Sequence, residues 1–282
     1  MVAMGSQEAS STRCSYHVFL SFRGRDTRKT FTDHLYTALL HAGIRTFRDD
    51  DELGRGDDIS SKLIKAIKES RISIIIFSKD YASSTWCLDE LLMILERKKS
   101  VGHMILPVFY HVHPSDLRWL KGSFGEAFAK HEERLQSESN ERKEEGMNKI
   151  TRWKEALREI ADLSGSVLKD EYELNFIQGI VKDIGSKLNR TILSVCSYPV
   201  GLDFRIKDIN LWLQDGSNEV EIVAICGMRG IGKTTIAKTV YNLNFDKFEG
   251  SSFLANVRET SEEPSSLLCL QRQLLSHILK GK

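Results

Sequence analysis

Residues Ile72–Phe77 read ISIIIF, an unbroken apolar run that decides the fold. A strand of this composition has both faces buried, as in a parallel sheet with helices on each side. Shorter apolar runs precede and follow it along the chain, and they predict further strands at His17–Phe22, Ile44–Phe47 and Met104–Tyr110.

Amphipathic segments separate these runs and predict helices at Thr30–Ala42, Ile59–Ile67 and Trp86–Lys98. Strand and helix alternate about every 25 residues, which is typical of a doubly wound α/β sheet with right-handed crossovers. Ligands of such sheets bind at the carboxyl ends of the strands. We therefore expect a site in the loops that follow the predicted strands.

Composition restricts the classes of partner. The chain of 282 residues carries 40 Lys and Arg against 39 Asp and Glu, a net charge of +1. This balance gives no strong field for nucleic acid or an acidic membrane, and neither is expected as a partner. The start of the chain has no apolar core for a signal peptide. A cytoplasmic location, with the nucleus also open, is expected.

The five cysteines are widely spaced, which argues against a zinc site or a disulfide framework. Cys87 and Cys226 lie inside apolar segments, and both are predicted to be buried.

The chain divides into four predicted parts. Residues 1–15 form a flexible tail, residues 16–170 the α/β domain, residues 171–199 a linker with a helix at Asn175–Leu188, and residues 200–282 a second α/β segment. Charge dominates residues 131–159, which are expected to be solvated helix or partly disordered and to become amphipathic near Trp153–Ile160.

The second segment contains a phosphate-binding motif. Val220–Cys226 is predicted to be a buried strand that runs directly into GMRGIGKTT, which matches G-x-x-x-x-G-K-[ST]. Backbone N–H groups of such a loop cradle phosphates, the lysine reaches the terminal phosphates, and the hydroxyl after it holds Mg²⁺. ADP or ATP with Mg²⁺ is the expected ligand, and the alternative is a glycine-rich turn without one. The predicted binding residues are Gly227, Gly230, Gly232, Lys233, Thr234 and Thr235, with Thr234 also the possible metal ligand.

The remaining residues contain no apolar strand that ends in Asp and could supply a second Mg²⁺ position. The sequence therefore predicts an incomplete, P-loop NTPase-type segment. Nucleotide hydrolysis is not expected.

Three stretches resemble one family closely: YHVFLSFRGRDTRKTF (Tyr16–Phe31), SSTWCLDEL (Ser83–Leu91) and ILPVFYHVHPSDLR (Ile105–Arg118). They are similar to the Toll/interleukin-1 receptor (TIR) domain of plant immune receptors. GLDFRIKDINLWL followed by GMRGIGKTT resembles the start of the NB-ARC domain that follows it in those receptors. The chain thus resembles a disease resistance protein truncated within the nucleotide-binding domain, without leucine-rich repeats.

The resemblance implies a flavodoxin-like fold and a NAD⁺ hydrolase that cleaves the nicotinamide–ribose bond when TIR domains self-associate. It implies TIR domains of full-length receptors as partners, and lipase-like immune adaptor proteins downstream through the products. The family's catalytic Glu corresponds to Glu90, and the implied NAD⁺-binding residues are Ser21, Phe22, Arg23, Gly24, Asp26, Gly54 and Trp86. The acidic loop Asp49–Asp58 matches a mobile loop used in assembly.

The helical pattern is compatible with that role for Glu90. Leu88, Leu91, Leu92 and Leu95 form the predicted buried stripe, and at about 100° per residue Glu90 lies off it and on the side of Trp86. A carboxylate there would stabilise an oxocarbenium-like transition state. The alternative is a solvated glutamate that favours the first turns of a helix. Asp89 is the next candidate.

The loop after the first predicted strand has its own alternative, a surface loop with a solvated cluster of Arg25, Arg28 and Lys29. In the first helix, Asp33 replaces a Ser that many members use in TIR–TIR contacts. Two such carboxylates would repel, so this surface is predicted to self-associate less strongly. A non-catalytic adaptor or decoy and a nucleotide switch are the alternative functions.

Overall fold

The computed structural model describes residues 15–49, 59–136, 139–168, 171–188, 190, 192–195, 201–213, 220, 222–248, 250–261 and 266–279. The predicted tail up to residue 14, and Gly54 with most of the acidic loop, lie outside the described residues. Contacts group the chain into two compact units. The first extends to Ile180 apart from Ala38–Ile44, which belong with the second unit from Val181 onward.

A parallel sheet forms the centre of the first unit, as the sequence predicts. Its strands occur in the order β2-β1-β3-β4-β5. The run ISIIIF lies in the central strand, and Ile72, Ile74, Ile75 and Ile76 are fully buried. The short last strand pairs with the one before it and was not predicted. The strand bounds are β1 Tyr16–Phe22, β2 Thr46–Phe47, β3 Ser70–Phe77, β4 Met104–Phe109 and β5 Ser166–Val167.

Helices cover both faces of this sheet and follow the predicted periodicity. The helix predicted at Trp86–Lys98 extends to Val101, where Gly102 takes a left-handed conformation with φ of 69° and ends it. The charged stretch is mainly helical, and its amphipathic part buries Trp153, Leu157 and Ile160. The bounds are α1 Gly24–Thr27, α2 Phe31–His41, α3 Ile59–Glu69, α4 Thr85–Val101, α5 Pro114–Arg118, α6 Ser123–Leu135, α7 Asn140–Ala161 and α8 Glu173–Lys187.

One core lies between the sheet and helices α4 and α7. Phe77 and Phe109 stack with ring centroids 5.6 Å apart, and Leu88 and Leu91 of α4 pack in the same cluster. A fully buried side chain of this size stabilises the fold by roughly 1.5–3 kcal/mol. This packing sets the position of α4 against the carboxyl ends of β1 and β3.

The described part of the second unit is helical, and the prediction of a buried strand at Val220–Cys226 is wrong. The described residues of Val220–Cys226 form no regular structure. Val220 is 96% and Ile222 89% exposed, and Cys226 is also exposed. A strand persists where neighbouring strands take its backbone hydrogen bonds, and the described residues of this unit offer none. The helix after the motif is confirmed. The bounds are α9 Asp203–Trp212, α10 Lys233–Asn244, α11 Val257–Ser261 and α12 Ser266–Ile278.

Across the described ranges, no helix combines the length and the apolar character that crossing a membrane requires.

Candidate active site

Glu90 lies in the second turn of α4, beside the carboxyl ends of β1 and β3. A short 3-10 turn, Tyr81–Ser83, joins β3 to this helix, and the Ser84 hydroxyl caps it by accepting a hydrogen bond from the Cys87 amide at 3.3 Å. Burial of Leu88 and Leu91 against the sheet fixes the rotation of α4. The predicted stripe needs one change, because Ile94 is buried whereas Leu92 is only half-buried.

The Glu90 carboxyl is buried, with 6% of the residue exposed, so the alternative of a solvated glutamate is wrong. The Ser21 hydroxyl lies 2.8 Å from Glu90 Oε2. Burial and, to a smaller extent, the charge of Asp49 raise the pKa of Glu90 to about 8, although hydrogen bonds from Ser21 and Trp86 act in the opposite direction. The side chain is thus an acid that changes charge near neutral pH.

Tyr81, which sequence reasoning missed, lies behind this pair together with Cys87. The fully buried Tyr81 hydroxyl is 3.2 Å from Ser21 Oγ and donates to the Cys87 carbonyl at 3.1 Å. The Cys87 thiol donates to the Phe22 carbonyl at 3.6 Å. Burial raises the pKa of Cys87 to about 12, so it stays a thiol and serves packing, as predicted for this cysteine. The position of Tyr81 in the loop after β3 was the available signal.

Asp26 joins the loops that follow β1 and β3. Its carboxylate accepts hydrogen bonds from the Ser78 hydroxyl and from the Asp80 amide, the latter at 3.2 Å. Arg23 Nε lies 3.3 Å from the same carboxylate. The Asp26 carboxylate is therefore occupied by contacts within the protein. It orients Arg23 at the edge of the sheet where Glu90 lies.

Arg28 is paired, unlike the solvated cluster considered from the sequence. Its guanidinium lies 3.1 Å from Asp49 and 5.3 Å from the centroid of the Phe22 ring. A Cβ at Gly24 would lie 2.5 Å from that guanidinium, so the glycine leaves room for Arg28. Asp49, one of the groups that raise the pKa of Glu90, thus has a counter-charge.

Asp89 has different partners from Glu90. Its carboxylate accepts from Lys149 Nζ at 2.8 Å and from Trp153 Nε1 at 3.0 Å, both on α7. Trp86, by contrast, hydrogen-bonds with Glu90 and is 43% exposed. The structure therefore groups Trp86 with Glu90 and separates Asp89 from them.

Asp33 on α2 is also paired. Arg48 lies 2.7 Å from its carboxylate and places its guanidinium 4.1 Å from the centroid of the Tyr36 ring. This counter-charge was not evident from the sequence. It reduces the net charge that a second copy would meet at Asp33.

The phosphate-binding motif has the backbone that it requires. Gly230 and Gly232 take left-handed conformations with φ of 83° and 92°, and Gly232 precedes the first residue of α10. Lys233 Nζ donates to the carbonyls of Gly227 and Met228, both at 2.8 Å. Gly232, the N-cap of this helix, has no side chain to cap it, so it leaves the amides of the first turn, which includes Thr234 and Thr235, open to an anion.

Comparison with known families supports both halves of this description. The TIR domain model matches residues 15–200, and the NB-ARC domain model matches residues 203–266. The order of the two matches is the order that the motifs predict.

Relatives of known name align across both segments. The disease resistance protein RPV1 of Vitis rotundifolia is 51% identical over 95% of this chain and 18% of its own length. The TMV resistance protein N of Nicotiana glutinosa is 42% identical over 98% of this chain and 24% of its own. This chain thus spans about a fifth to a quarter of the length of these relatives.

Among solved structures, the TIR domains of the activated Roq1 resistosome, which directly recognises the pathogen effector XopQ, are similar. They are 50% identical, with a TM-score of 0.55, over 60% of this chain and 99% of theirs.

Proposed function

Because this chain belongs to the TIR domain family and continues into NB-ARC sequence, in common with plant disease resistance proteins, we propose that its TIR domain self-associates and hydrolyses NAD⁺. The reaction breaks the bond between nicotinamide and ribose in the cytoplasm. Its products would then signal defence through lipase-like adaptor proteins.

The observation that carries the proposal is the buried carboxyl of Glu90 between Ser21 and Trp86. Its raised pKa of about 8 keeps the group mainly neutral at neutral pH, and a cation that enters the site would lower that pKa and favour the ionised form. The nicotinamide ribosyl group of NAD⁺ is such a cation. The ionised carboxylate would then face the positive charge that develops on the ribose as the bond lengthens.

Only one carboxylate is needed for this reaction, because the leaving group does not have to be protonated. The electron pair of the broken C–N bond neutralises the nicotinamide ring, which therefore leaves without a proton. Water adds to the ribose carbon, and the products are nicotinamide, ADP-ribose and a proton. Glu90 stabilises the transition state and orients the ribose, as carboxylates do in glycoside hydrolysis.

Neighbouring side chains fit the rest of the substrate. Arg23, held by Asp26, supplies a guanidinium for phosphate or ribose oxygens. The exposed part of Trp86 provides an aromatic surface beside Glu90. Ser21 and Phe22 at the end of β1, with Gly24 and Asp26 just after it, complete the proposed site.

A similar structure supports the proposed self-association, because the TIR domains of Roq1 were solved within a resistosome. We expect contacts between TIR domains to be needed for activity, both between copies of this chain and with full-length receptors. At such a contact, Arg48 after β2 would offset the charge of Asp33 on α2.

A separate proposal concerns the phosphate loop, which is suited to ADP or ATP. Its glycine conformations and uncapped helix fit a bound phosphate, and Lys233 would exchange its carbonyl partners for phosphate oxygens. Thr234 would hold Mg²⁺.

The deciding experiment measures nicotinamide release from NAD⁺ by the full chain across protein concentration. We expect Glu90→Gln to lower the rate at least about 100-fold. Asp89→Asn is the matched control, because it removes the adjacent carboxylate that contacts α7, and its rate should stay within about threefold.

Release that rises more steeply than protein concentration would support dependence on assembly. No release at any concentration from a folded chain would contradict the hydrolase and favour a non-catalytic adaptor or decoy.

A further inference from the structure

A chain of three short contacts leads from Glu90 into the core. Glu90 Oε2 is 2.8 Å from Ser21 Oγ, which is 3.2 Å from the Tyr81 hydroxyl, which is 3.1 Å from the Cys87 carbonyl. Every member is buried. Each hydroxyl carries one proton and accepts others, so the number of protons determines which way the bonds point.

With Glu90 neutral, the chain contains three protons to donate and three acceptors. Glu90 donates to Ser21, Ser21 donates to Tyr81, and Tyr81 donates to the Cys87 carbonyl. No buried donor is left without an acceptor, and the backbone carbonyl ends the chain. The contacts of Tyr81 thus accommodate a protonated Glu90 at no cost in hydrogen bonds.

With Glu90 ionised, one proton has left and the bonds reverse. Ser21 donates to the carboxylate, and its oxygen is then open to accept the Tyr81 proton, which can turn to it from the Cys87 carbonyl. The same heavy atoms serve both charge states. Because Ser21 Oγ and the Tyr81 hydroxyl need only rotate their protons, the reversal needs no movement of the backbone.

We propose that Tyr81 is a positioning residue that keeps Glu90 as a neutral acid before substrate binds and reverses its hydrogen bond when Glu90 ionises. The catalytic meaning of this role rests on the proposed NAD⁺ hydrolysis, whereas the effect on the proton of Glu90 does not. Tyr81 itself stays neutral throughout, because burial raises its own pKa well above the ordinary value.

Other groups also act on Glu90 and remain unchanged by substitution of Tyr81. Asp49, in the loop after β2, acts on its charge, and Arg28 pairs with Asp49. Trp86 of α4 hydrogen-bonds with Glu90. Arg23, from the loop after β1, acts on the neighbouring Cys87.

Removal of the Tyr81 hydroxyl affects the two charge states unequally. In Tyr81→Phe, a neutral Glu90 leaves one buried donor, either its own O–H or that of Ser21, without an acceptor. The ionised form leaves none, since Ser21 still donates to the carboxylate. A buried donor without a partner is costly, so the pKa of Glu90 should fall by about one unit.

The test is a pH titration of the full chain labelled with ¹³C at the glutamate side-chain carboxyls, with the Glu90 signal assigned by its loss in Glu90→Gln. We expect the Glu90 midpoint to fall by about one unit in Tyr81→Phe. Tyr110→Phe is the matched control, because that hydroxyl donates to Glu173 instead, and it should leave the midpoint unchanged.

A second measurement uses the unaltered protein. With ¹³C at the ring carbon that bears the tyrosine hydroxyl, the Tyr81 signal should shift with the same midpoint as Glu90, because its proton changes partner. A Tyr81→Phe protein that folds with an unchanged Glu90 midpoint would overturn the proposal, as would a Tyr81 signal that does not respond to Glu90.

Nicotinamide release, measured on the same samples, keeps the two proposals separate. If Tyr81→Phe lowers the Glu90 midpoint but no variant releases nicotinamide, the proton chain stands and the hydrolase fails. If both stand, the midpoint of the pH–rate profile should move with the spectroscopic midpoint.

Discussion

Two apolar runs of the sequence differ in structure: one is a buried strand, and the other is irregular and mostly exposed. Ile72–Phe77 is a central strand with its isoleucines fully buried, whereas the described residues of Val220–Cys226 are irregular and mostly exposed. The first run has β1 and β4 as partners on its two sides. The comparison teaches that an apolar run supplies the tendency to form a strand, and that neighbouring strands supply the hydrogen bonds that realise it.

The same contrast applies to the two candidate sites. Glu90 is buried, and its pKa is raised by its surroundings, while the phosphate loop depends on backbone shape and a helix terminus. A site of the first kind requires the packed sheet behind it. A site of the second kind is local, and the spacing of the motif already describes it.

The largest effect should come from truncation of equivalent isoleucines in the two runs. Ile74→Ala removes a fully buried side chain from β3 and should lower the free energy of unfolding by about 4 kcal/mol. Ile222→Ala removes an exposed side chain and should change it by less than about 0.5 kcal/mol.

Urea denaturation of the full chain, followed by fluorescence, measures both values. A loss in Ile222→Ala as large as in Ile74→Ala would mean that Val220–Cys226 is packed in solution, and the comparison would fail.

A smaller effect concerns the free energy of unfolding, which should depend on pH because Glu90 titrates. A carboxyl whose pKa is higher in the folded than in the unfolded protein stabilises the fold at low pH, and this contribution is lost as pH rises from about 4.5 through about 8. Glu90→Gln cannot ionise. Its stability relative to the parent should therefore increase between pH 6 and pH 9 by roughly 3 kcal/mol, since the two pH units below the folded pKa each correspond to about 1.4 kcal/mol.

Thermal unfolding at a series of pH values measures this difference. Asp89→Asn is the control and should show no comparable trend. A gap between Glu90→Gln and the parent that stays constant with pH would show that the carboxyl is solvated and ionised.

The smallest effect concerns the phosphate loop. Mg²⁺–ADP at ten times its Kd should stabilise the parent by about 1.4 kcal/mol. Lys233→Ala should abolish this stabilisation, because Lys233 supplies the cation of the motif. The control Lys247→Ala changes an exposed lysine just beyond α10 and should retain it.

The measurement is the rise in melting temperature with nucleotide concentration. Equal stabilisation of the parent and Lys233→Ala would mean that nucleotide binds elsewhere, and its absence in the parent would show that the loop alone does not make a site.

Much of the fold and part of the candidate site were predictable. The spacing of apolar residues predicted β1, β3, β4 and the helices α2, α3 and α4, and their order predicted a parallel sheet. The same helical spacing placed Trp86 on the side of Glu90. Tyr81 was missed, because its role depends on a contact with Ser21, a residue 60 positions away in the sequence.

The sequence by itself determined the periodic features: the strand and helix order, the family, and the glycine spacing of the phosphate loop. These depend on residues close together along the chain, whose spacing sets which face each side chain takes. Only the tertiary structure decided that Glu90 is buried, that Asp26 is committed to Ser78 and Asp80, and that Val220–Cys226 is not a strand. Each of these depends on groups that are distant in sequence, because burial and backbone pairing are properties of neighbours that only folding brings together.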